Sequence, residues 1–280
     1  MSGDQRAPVA AITMVRGDPE FLKIWIRHYG RQFGEENLFV LQDGQDQPRP
    51  ESRANIVALP HVAASRTRGD YARSRAVSAF ARGLFFHYQR VIACDVDELL
   101  CLDPAAGPSL AEYLLNNVRA PSVSAIGLDI GQNCNSETAL DFERPILEQR
   151  QFARVSARYT KPVVATRPLT WGAGFHRVKG GALNIDSNLV LFHLGLLDFA
   201  RAAAKAERAE LVESGWKGHF DRRLELFGAI AAHPARDFDL ELPTARRKML
   251  WRRPLYALNK PGTVSSDIIV KIPDRFRKIF

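Results

Sequence analysis

The sequence predicts an α/β fold in which a mainly parallel central sheet is flanked by helices and followed by a helical C-terminal extension. Three observations predict it. Through the first hundred residues, short and nearly all-apolar runs alternate with segments whose apolar residues recur at helical spacing. Strands of that kind are buried on both faces, as parallel strands joined by crossover helices are. The chain has 280 residues, 46% of them hydrophobic and 25% charged, enough to bury a large core. Finally, the run Arg90-Val91-Ile92-Ala93-Cys94 stops at Asp95-Val96-Asp97-Glu98. It places two acids one residue apart where a strand of an open α/β sheet would end on a ligand crevice.

The elements follow in order. Val9 to Met14 is the first strand, and after Val15-Arg16-Gly17 the segment Asp18-Pro19-Glu20 starts a helix, with an acid at the cap and proline in the first turn. Phe21, Leu22, Trp25, Ile26 and Tyr29 form its core face to about Phe33. Leu38-Phe39-Val40-Leu41 is a second strand ending at Gln42-Asp43-Gly44, and Asn55 to Leu59 before Pro60 is a third. From Asp70 to about Tyr88 the residues Ala72, Ala76, Val77, Phe80, Leu84 and Phe85 return to a helical period. The fourth strand carries the acidic pair, which the preceding three strands place near the middle of the sheet. Ser109-Leu110-Ala111-Glu112 has capping-box spacing and starts a helix that ends near Asn116-Asn117. Leu194 to Val212 and Phe220 to Ala232 read as helices around the glycine-bounded break Gly215-Trp216-Lys217-Gly218-His219. The division expected is a sheet-containing unit over residues 1–195 and a helical extension with a basic tail over 196–280.

Charge and cysteine content narrow the partners. Lys and Arg number 39 against 31 Asp and Glu, a formal charge of +8, which suits phosphate-bearing ligands, anionic membranes or nucleic acid. No interleaving of basic and aromatic residues matches a nucleic-acid motif, so nucleic acid is not expected as a partner. Cations gather in Arg246-Arg247-Lys248 with Arg252-Arg253, and in Lys271, Arg275, Arg277 and Lys278. Together with Trp251, Phe276 and Phe280 they read either as a solvated tail or as a peripheral dock on anionic lipid. Cys94, Cys101 and Cys134 match no zinc spacing and cannot all pair, so reduced thiols are expected. No run approaches the roughly 18 to 20 apolar residues of a membrane span, and Met1 to Arg6 has no apolar leader segment. The expected location is cytoplasmic, with peripheral contact at the inner face of a membrane as the variant.

In an extended strand Asp95 and Asp97 project to one side while Val96 faces the other. Two like charges so close need a proton, solvent or a cation, and a divalent ion carrying a phosphorylated ligand is one answer. His176 and His193 both lie beside apolar residues and read as ligand or as hydrogen-bonded core; the run Leu189 to Phe192 delivers His193 at a strand end. Trp171 reads equally as a sugar-stacking ring or a core plug.

The series Met14-Val15-Arg16, Asp18-Pro19-Glu20-Phe21-Leu22, Asp43-Gly44 and Asp95-Val96-Asp97-Glu98 resembles the family-2 glycosyltransferases, in particular a bacterial subgroup with a Met-Val-Arg opening and an Asp-x-Asp-Glu motif. The resemblance continues in Tyr159-Thr160-Lys161-Pro162-Val163-Val164, Gly174-Phe175-His176-Arg177 and Leu191-Phe192-His193-Leu194, over about residues 9 to 200. It implies a GT-A type, Rossmann-like fold that moves a sugar, with inversion, from a nucleotide-diphosphate donor to a saccharide, lipid or protein acceptor. It also implies nucleoside contacts from Val15, Arg16 and Asp43, a Mn or Mg ion on Asp95 and Asp97, and a histidine completing the shell, for which His193 is preferred to His176. Arg16, Lys161 and Arg177 could meet the remaining phosphate charge. An acceptor hydroxyl needs a carboxylate to take its proton. Glu137, Asp141 and Glu143 are the acids available after Asn133-Cys134-Asn135, Glu137 first. Two other classes compete: an Asp-x-Asp phosphohydrolase of haloacid dehalogenase type, with Asp95 as nucleophile, and a non-enzymatic basic protein that binds membrane or nucleic acid.

Overall fold

The computed structural model describes residues 5–62, 65–195, 197–206, 217–252 and 258–280. Strands β1 (Ala7–Val15), β2 (Leu38–Asp43), β3 (Asn55–Leu59) and β4 (Tyr88–Ala93) form one half of the sheet in the order β3-β2-β1-β4, with every neighbour parallel. Helices α1 (Pro19–Phe33) and α2 (Arg66–Leu84) supply the crossovers. Side chains alternate along β1. Val9, Ala11 and Val15 join Trp25 and Tyr29 of α1, whereas Ile12 joins Val77 and Ala81 of α2 and, further along, Trp171. Both faces of β1 are therefore apolar, which is why its nine residues carry no charge. This is the α/β, Rossmann-like arrangement expected.

The second half comprises β5 (Glu98–Leu102), β6 (Ser122–Gly131), β7 (Phe152–Ala165) and β8 (Ile185–His193), and the sheet continues β4-β7-β6-β8-β5. Here β6 and β8 are parallel, while β4–β7, β6–β7 and β5–β8 are antiparallel. Helix α3 (Leu110–Asn117) begins at Ser109, whose hydroxyl accepts the Glu112 N–H at 3.2 Å. Helices α4 (Ile146–Gln149), α5 (Phe199–Ala206), α6 (Lys217–Ala232) and α7 (Phe238–Trp251) follow, and β9 (Ile269–Lys271) returns from the C-terminal segment to pair with β7.

The link between β4 and β5 determines the shape of the site. Only residues 94–97 join these strands, yet β7, β6 and β8 lie between them in the sheet. At about 4.8 Å per strand a flat sheet would hold β4 and β5 roughly 19 Å apart. The link is compact, with the Glu98 N–H bonded to the Asp95 carbonyl at 3.1 Å, so the sheet must curl until β5 returns beside the end of β4. The open edge of β5 is then covered by α1. Tyr29 Oη accepts the Leu100 N–H at 2.8 Å, and His28 Nε2 donates to the Leu100 carbonyl at 2.9 Å, replacing a missing strand neighbour.

Several expectations are corrected. Asp95 and Asp97 do not alternate along one strand, because residues 94–97 form the turn just described. α2 starts at Arg66 and stops at Leu84, where a turn precedes β4. Lys217, Gly218 and His219 are helical, while Gly215, Trp216 and residues 207–212 lie outside the described residues, as does Leu196; α5 starts only at Phe199. Phe276 and Phe280 are core side chains, packed edge-to-face on Phe192, so they offer nothing to a membrane. Arg275 is held by Asp103 at 2.8 Å and by Asp239, and Arg277 by Asp274 at 2.7 Å, so these cations of the tail are engaged rather than presented. Trp171 is the core plug, its indole N–H donating to the Pro162 carbonyl at 2.7 Å. Cys94, Cys101 and Cys134 are free thiols. Among the described residues, no helix is long and apolar enough to cross a membrane.

Burial pulls the pKa of His28 down to about 4. A folded-state pKa below the unfolded value contributes stability that is present above about pH 6.5 and lost as the pH falls through about 4, on the order of 3 kcal/mol. His28→Gln keeps a donor for the Leu100 carbonyl but cannot titrate. Thermal unfolding from neutral to acid pH is expected to show a shallower acid limb in this variant; an acid limb as steep as that of the parent protein would refute the assignment.

Candidate functional site

The chain leaves β1 toward β2 on one side and returns from β3 to β4 on the other. The carboxyl ends of β1 and β4 therefore flank a topological switch point, where open α/β sheets leave a crevice for ligands. Val15 is buried at the end of β1. Arg16 follows and reaches across to the end of β2, where Nη1 donates to the Asp43 carbonyl at 2.6 Å and both terminal nitrogens donate to the Asp46 carboxylate at 3.0 Å. The Asp43 carboxylate meets His61 Nδ1 at 3.0 Å. Gly44, at φ +124°, lets the loop pass over the guanidinium; a Cβ there would lie 2.1 Å from Arg16 Nη1.

At the end of β4 the acidic turn is gripped from two sides. Lys161 Nζ, on β7, lies 2.9 Å from Asp95 Oδ2 and 2.5 Å from Glu98 Oε1, while Arg73 Nη1, on α2, lies 3.1 Å from Asp95 Oδ1. Lys161 and Glu98 are almost wholly removed from solvent. Burial would pull the Lys161 pKa down, but Asp95 and Glu98 outweigh it and the ammonium is held charged. Burial would likewise raise Asp95, and Arg73 with Lys161 keep it ionised below its usual range. Glu98 is left with the weaker position. Burial and the neighbouring Asp95 and Asp97 push its carboxyl up to about 7 against the pull of Lys161. Arg73 is in turn seated over the ring of Phe175, at 5.9 Å. Phe175 is fully buried with φ +59°, a strained left-handed backbone for a bulky residue and of the kind found next to functional sites.

A polar row crosses the curled half of the sheet. Strand register sets Glu98 opposite His193, His193 opposite Asp129, and Asp129 opposite Arg154, one residue from each of β5, β8, β6 and β7. Cross-strand neighbours share a face, and His193, Asp129 and Arg154 bond along it. Asp129 Oδ1 is 2.8 Å from His193 Nδ1, Asp129 Oδ2 is 3.3 Å from Arg154 Nη2, and His193 Nε2 is 3.2 Å from Asp97 Oδ2. Burial would lower the His193 pKa, but Asp97 and Asp129 outweigh it and raise it. Tyr159 stacks flat on the imidazole, with ring centroids 3.6 Å apart.

Tyr159 and Lys161 reach the site because β7 bulges there. The pairing jumps from Gly127↔Ser156 to Ala125↔Lys161, so extra residues of β7 are displaced outward, the usual means by which a strand re-aims side chains. The Thr160 hydroxyl pins the bulge, donating to the Ser156 carbonyl and accepting the Gly127 N–H, both at 2.9 Å. Gly127 is required by the close approach, since a Cβ would stand 2.2 Å from the Tyr159 carbonyl carbon and 2.5 Å from the Thr160 nitrogen.

The structure thus brings Asp95, Asp97, Lys161 and His193 together, with Arg16 and Asp43 on the neighbouring strand ends. The other candidates have different partners. Both Glu137 oxygens accept backbone N–H groups, from Asn133 and Gln151 at 2.7 Å, which makes Glu137 a clasp for the loop after β6. Asp141 accepts the Glu143 N–H at 2.9 Å in a turn, and Glu143 pairs with Lys23. His176 directs Nδ1 to the Arg158 carbonyl at 3.0 Å, and burial together with Lys161 lowers its pKa to about 3, the value of a neutral ring. Lys161 is spent on the acidic turn rather than offered to a phosphate, and Asp95 is spent on Lys161 and Arg73. Sequence reasoning missed Arg73, Asp129, Arg154 and Tyr159. Asp129 left a legible trace, a lone acid inside the apolar run Ser124 to Gly131.

The arrangement sets the partly exposed Asp97 carboxylate beside an imidazole that a buried second carboxylate fixes. Among the described residues, no group of three or more His, Cys, Asp or Glu side chains is disposed to hold an ion alone. Asp97 and His193 could supply two donors, leaving further positions for ligand and solvent.

Two measurements test this geometry. Lys161→Met strands Asp95 and Glu98 in the interior and is expected to cost about 3–5 kcal/mol by urea unfolding near pH 8. The loss should shrink near pH 5, where Glu98 carries a proton; equal losses at the two pH values would contradict the shared-cation picture. Gly127→Ala is expected to cost about 1–3 kcal/mol through overpacking against the bulge, seen as a lowered Tm, and an unchanged Tm would contradict the close approach.

No protein-family model matches the chain, and no curated protein matches it. Among solved structures it is similar to a mannose-1-phosphate geranyltransferase from Thermus thermophilus, at 10% identity and a TM-score of 0.27, over 96% of this chain and 76% of that one. A likeness of that degree carries neither fold nor function across.

Proposed function

We propose that this chain is a glycosyltransferase that moves a sugar from a nucleotide-diphosphate donor to a hydroxyl of a saccharide, lipid or protein acceptor, with Mn or Mg held at Asp97 and His193. The supporting observation is the 3.2 Å approach of His193 Nε2 to Asp97 Oδ2. Asp129 takes the hydrogen of Nδ1, and Nε2 faces the Asp97 carboxylate, which favours a proton between them that a metal ion would replace. A carboxylate that receives the far N–H of an imidazole is the common way of orienting a metal-binding histidine. A divalent ion at this position would supply positive charge for a departing diphosphate.

The protein's own residues prepare the rest. Val15, Arg16 and Asp43 rim the switch-point crevice on the β1–β2 side, where a nucleoside would lie, with Arg16 held in place by Asp46. Arg73 and Lys161 neutralise Asp95, so the turn keeps its shape while Asp97 faces His193. Tyr159 covers one face of His193 and restricts water there. Glu137 is not assigned as the base for the acceptor hydroxyl, since both its oxygens are committed to backbone N–H groups.

Calorimetric titration with a nucleoside diphosphate and Mn is expected to show binding that strengthens from about pH 5 to 8, as the proton shared by His193 and Asp97 becomes easier to displace. Asp97→Asn is expected to abolish the Mn-dependent part, and Asp129→Asn to weaken it about 10–100-fold through loss of His193 orientation. If neither nucleoside diphosphates nor a panel of nucleotide sugars binds with Mn or Mg, the reading is wrong.

A further inference from the structure

The outer face at the end of α7 has no part in the site and an unusual composition. Leu242, Ala245 and Met249 point inward, and Arg246 turns in to donate from Nε to the Ile185 carbonyl at 2.6 Å. Arg247, Lys248, Trp251 and Arg252 are left exposed, and Trp251 is 88% accessible. Positions 247, 248 and 251 lie on one side of the helix. From Leu242 to Ser266 the sequence contains Arg246, Arg247, Lys248, Arg252, Arg253 and Lys260 and neither Asp nor Glu. The segment that returns to the helix end, through the Gly262 N–H to the Met249 carbonyl at 2.7 Å, brings a second exposed apolar residue, Leu258. Elsewhere on the surface the equivalent cations Arg275 and Arg277 have carboxylate partners.

We propose that this face docks on an anionic lipid surface. A tryptophan so exposed is costly to leave in water, and its amphipathic ring favours the headgroup level of a bilayer. Among the described residues Arg247 and Lys248 have no carboxylate partner to abandon when they meet lipid phosphates. Trp251 and Leu258 favour lipid over single-stranded nucleic acid, whose binding relies on a succession of stacking rings in a basic groove. The buried side of the same helix leans on the β7 bulge, with Met249 Sδ 3.4 Å from the Thr160 hydroxyl. Docking would therefore hold the site beside the membrane. Resting on the transferase reading above, this points to an acceptor carried by the membrane; the docking itself does not depend on that reading.

The test is co-sedimentation of the full chain with phosphatidylcholine vesicles, with and without phosphatidylglycerol, followed by tryptophan fluorescence. Binding is expected only with phosphatidylglycerol. Arg247→Ala and Lys248→Ala should each weaken it about fivefold, and the blue shift of the emission should be absent in Trp251→Phe. All three positions are exposed, so their unfolding curves should match that of the parent protein. Asp97→Asn is expected to bind vesicles unchanged, which separates failure of docking from failure of the transferase reading. Equal binding to neutral vesicles, no binding, binding that survives Arg247→Glu with Lys248→Glu, tighter binding of single-stranded RNA to the same residues, or self-association that Trp251→Ala abolishes would each overturn the proposal.

Discussion

A buried ammonium needs anions at contact distance, and Lys161 finds them in Asp95 and Glu98 on a turn sixty residues earlier in the chain. The need is mutual, because neither carboxylate could remain ionised there alone. This exchange fixes the acidic turn against the β7 bulge and leaves Arg73 to neutralise the remaining oxygen of Asp95. Such a cluster contributes little net stability relative to an apolar core of the same volume. Its effect is on shape: once Asp95 is consumed inside, Asp97 is the member of the pair directed to His193.

The site draws its residues from strands more than from loops. Glu98, His193, Asp129 and Arg154 occupy one register line across four strands, so their spacing is set by the ladder itself. Asp129 bonds both His193 and Arg154, and His193 reaches Asp97 on the adjoining turn, while Glu98 is taken by Lys161. Rigid placement of this kind suits a group that must present a lone pair in one direction, since the orientation is set before any ligand arrives. The parallel half of the sheet contributes differently, through the ends of its strands, where Arg16 and Asp43 meet across the β1–β2 boundary. The two halves come together because the sheet curls back between β4 and β5.

The parallel half was legible in the sequence because its signals are local. Four apolar runs, the Asp18-Pro19 helix start and the Ser109 cap each depend on a few consecutive residues, and each was found where expected. The second half was less legible. β5 is five residues long and continues the apolar run of β4 after a turn, so the two strands read as one. The β7 bulge leaves no periodic trace, since the residue that permits it, Gly127, is on another strand. Asp95, Asp97 and His193 were identifiable by type and position, but which acid meets which cation depends on register. Glu137 shows the reverse case: an acid of suitable type in a suitable loop, whose oxygens are both taken by the backbone. Phe276 and Phe280 looked like tail residues by position and are core by packing.

The short tie between β4 and β5 also bears on how the chain matures on the ribosome. The turn is synthesised early, but the groups that stabilise its charges arrive late: Lys161 more than sixty residues on, and His193 nearly a hundred. A nascent chain that has released residues up to Glu98 holds the acidic turn before Lys161 or His193 has been made. Pairing of β1 with β2 and of β2 with β3 joins residues 27 and 16 apart, whereas Glu98 of β5 pairs with His193 of β8 across 95 residues. The pairing of β5 with β8 therefore belongs to the long sequence separations that form slowly.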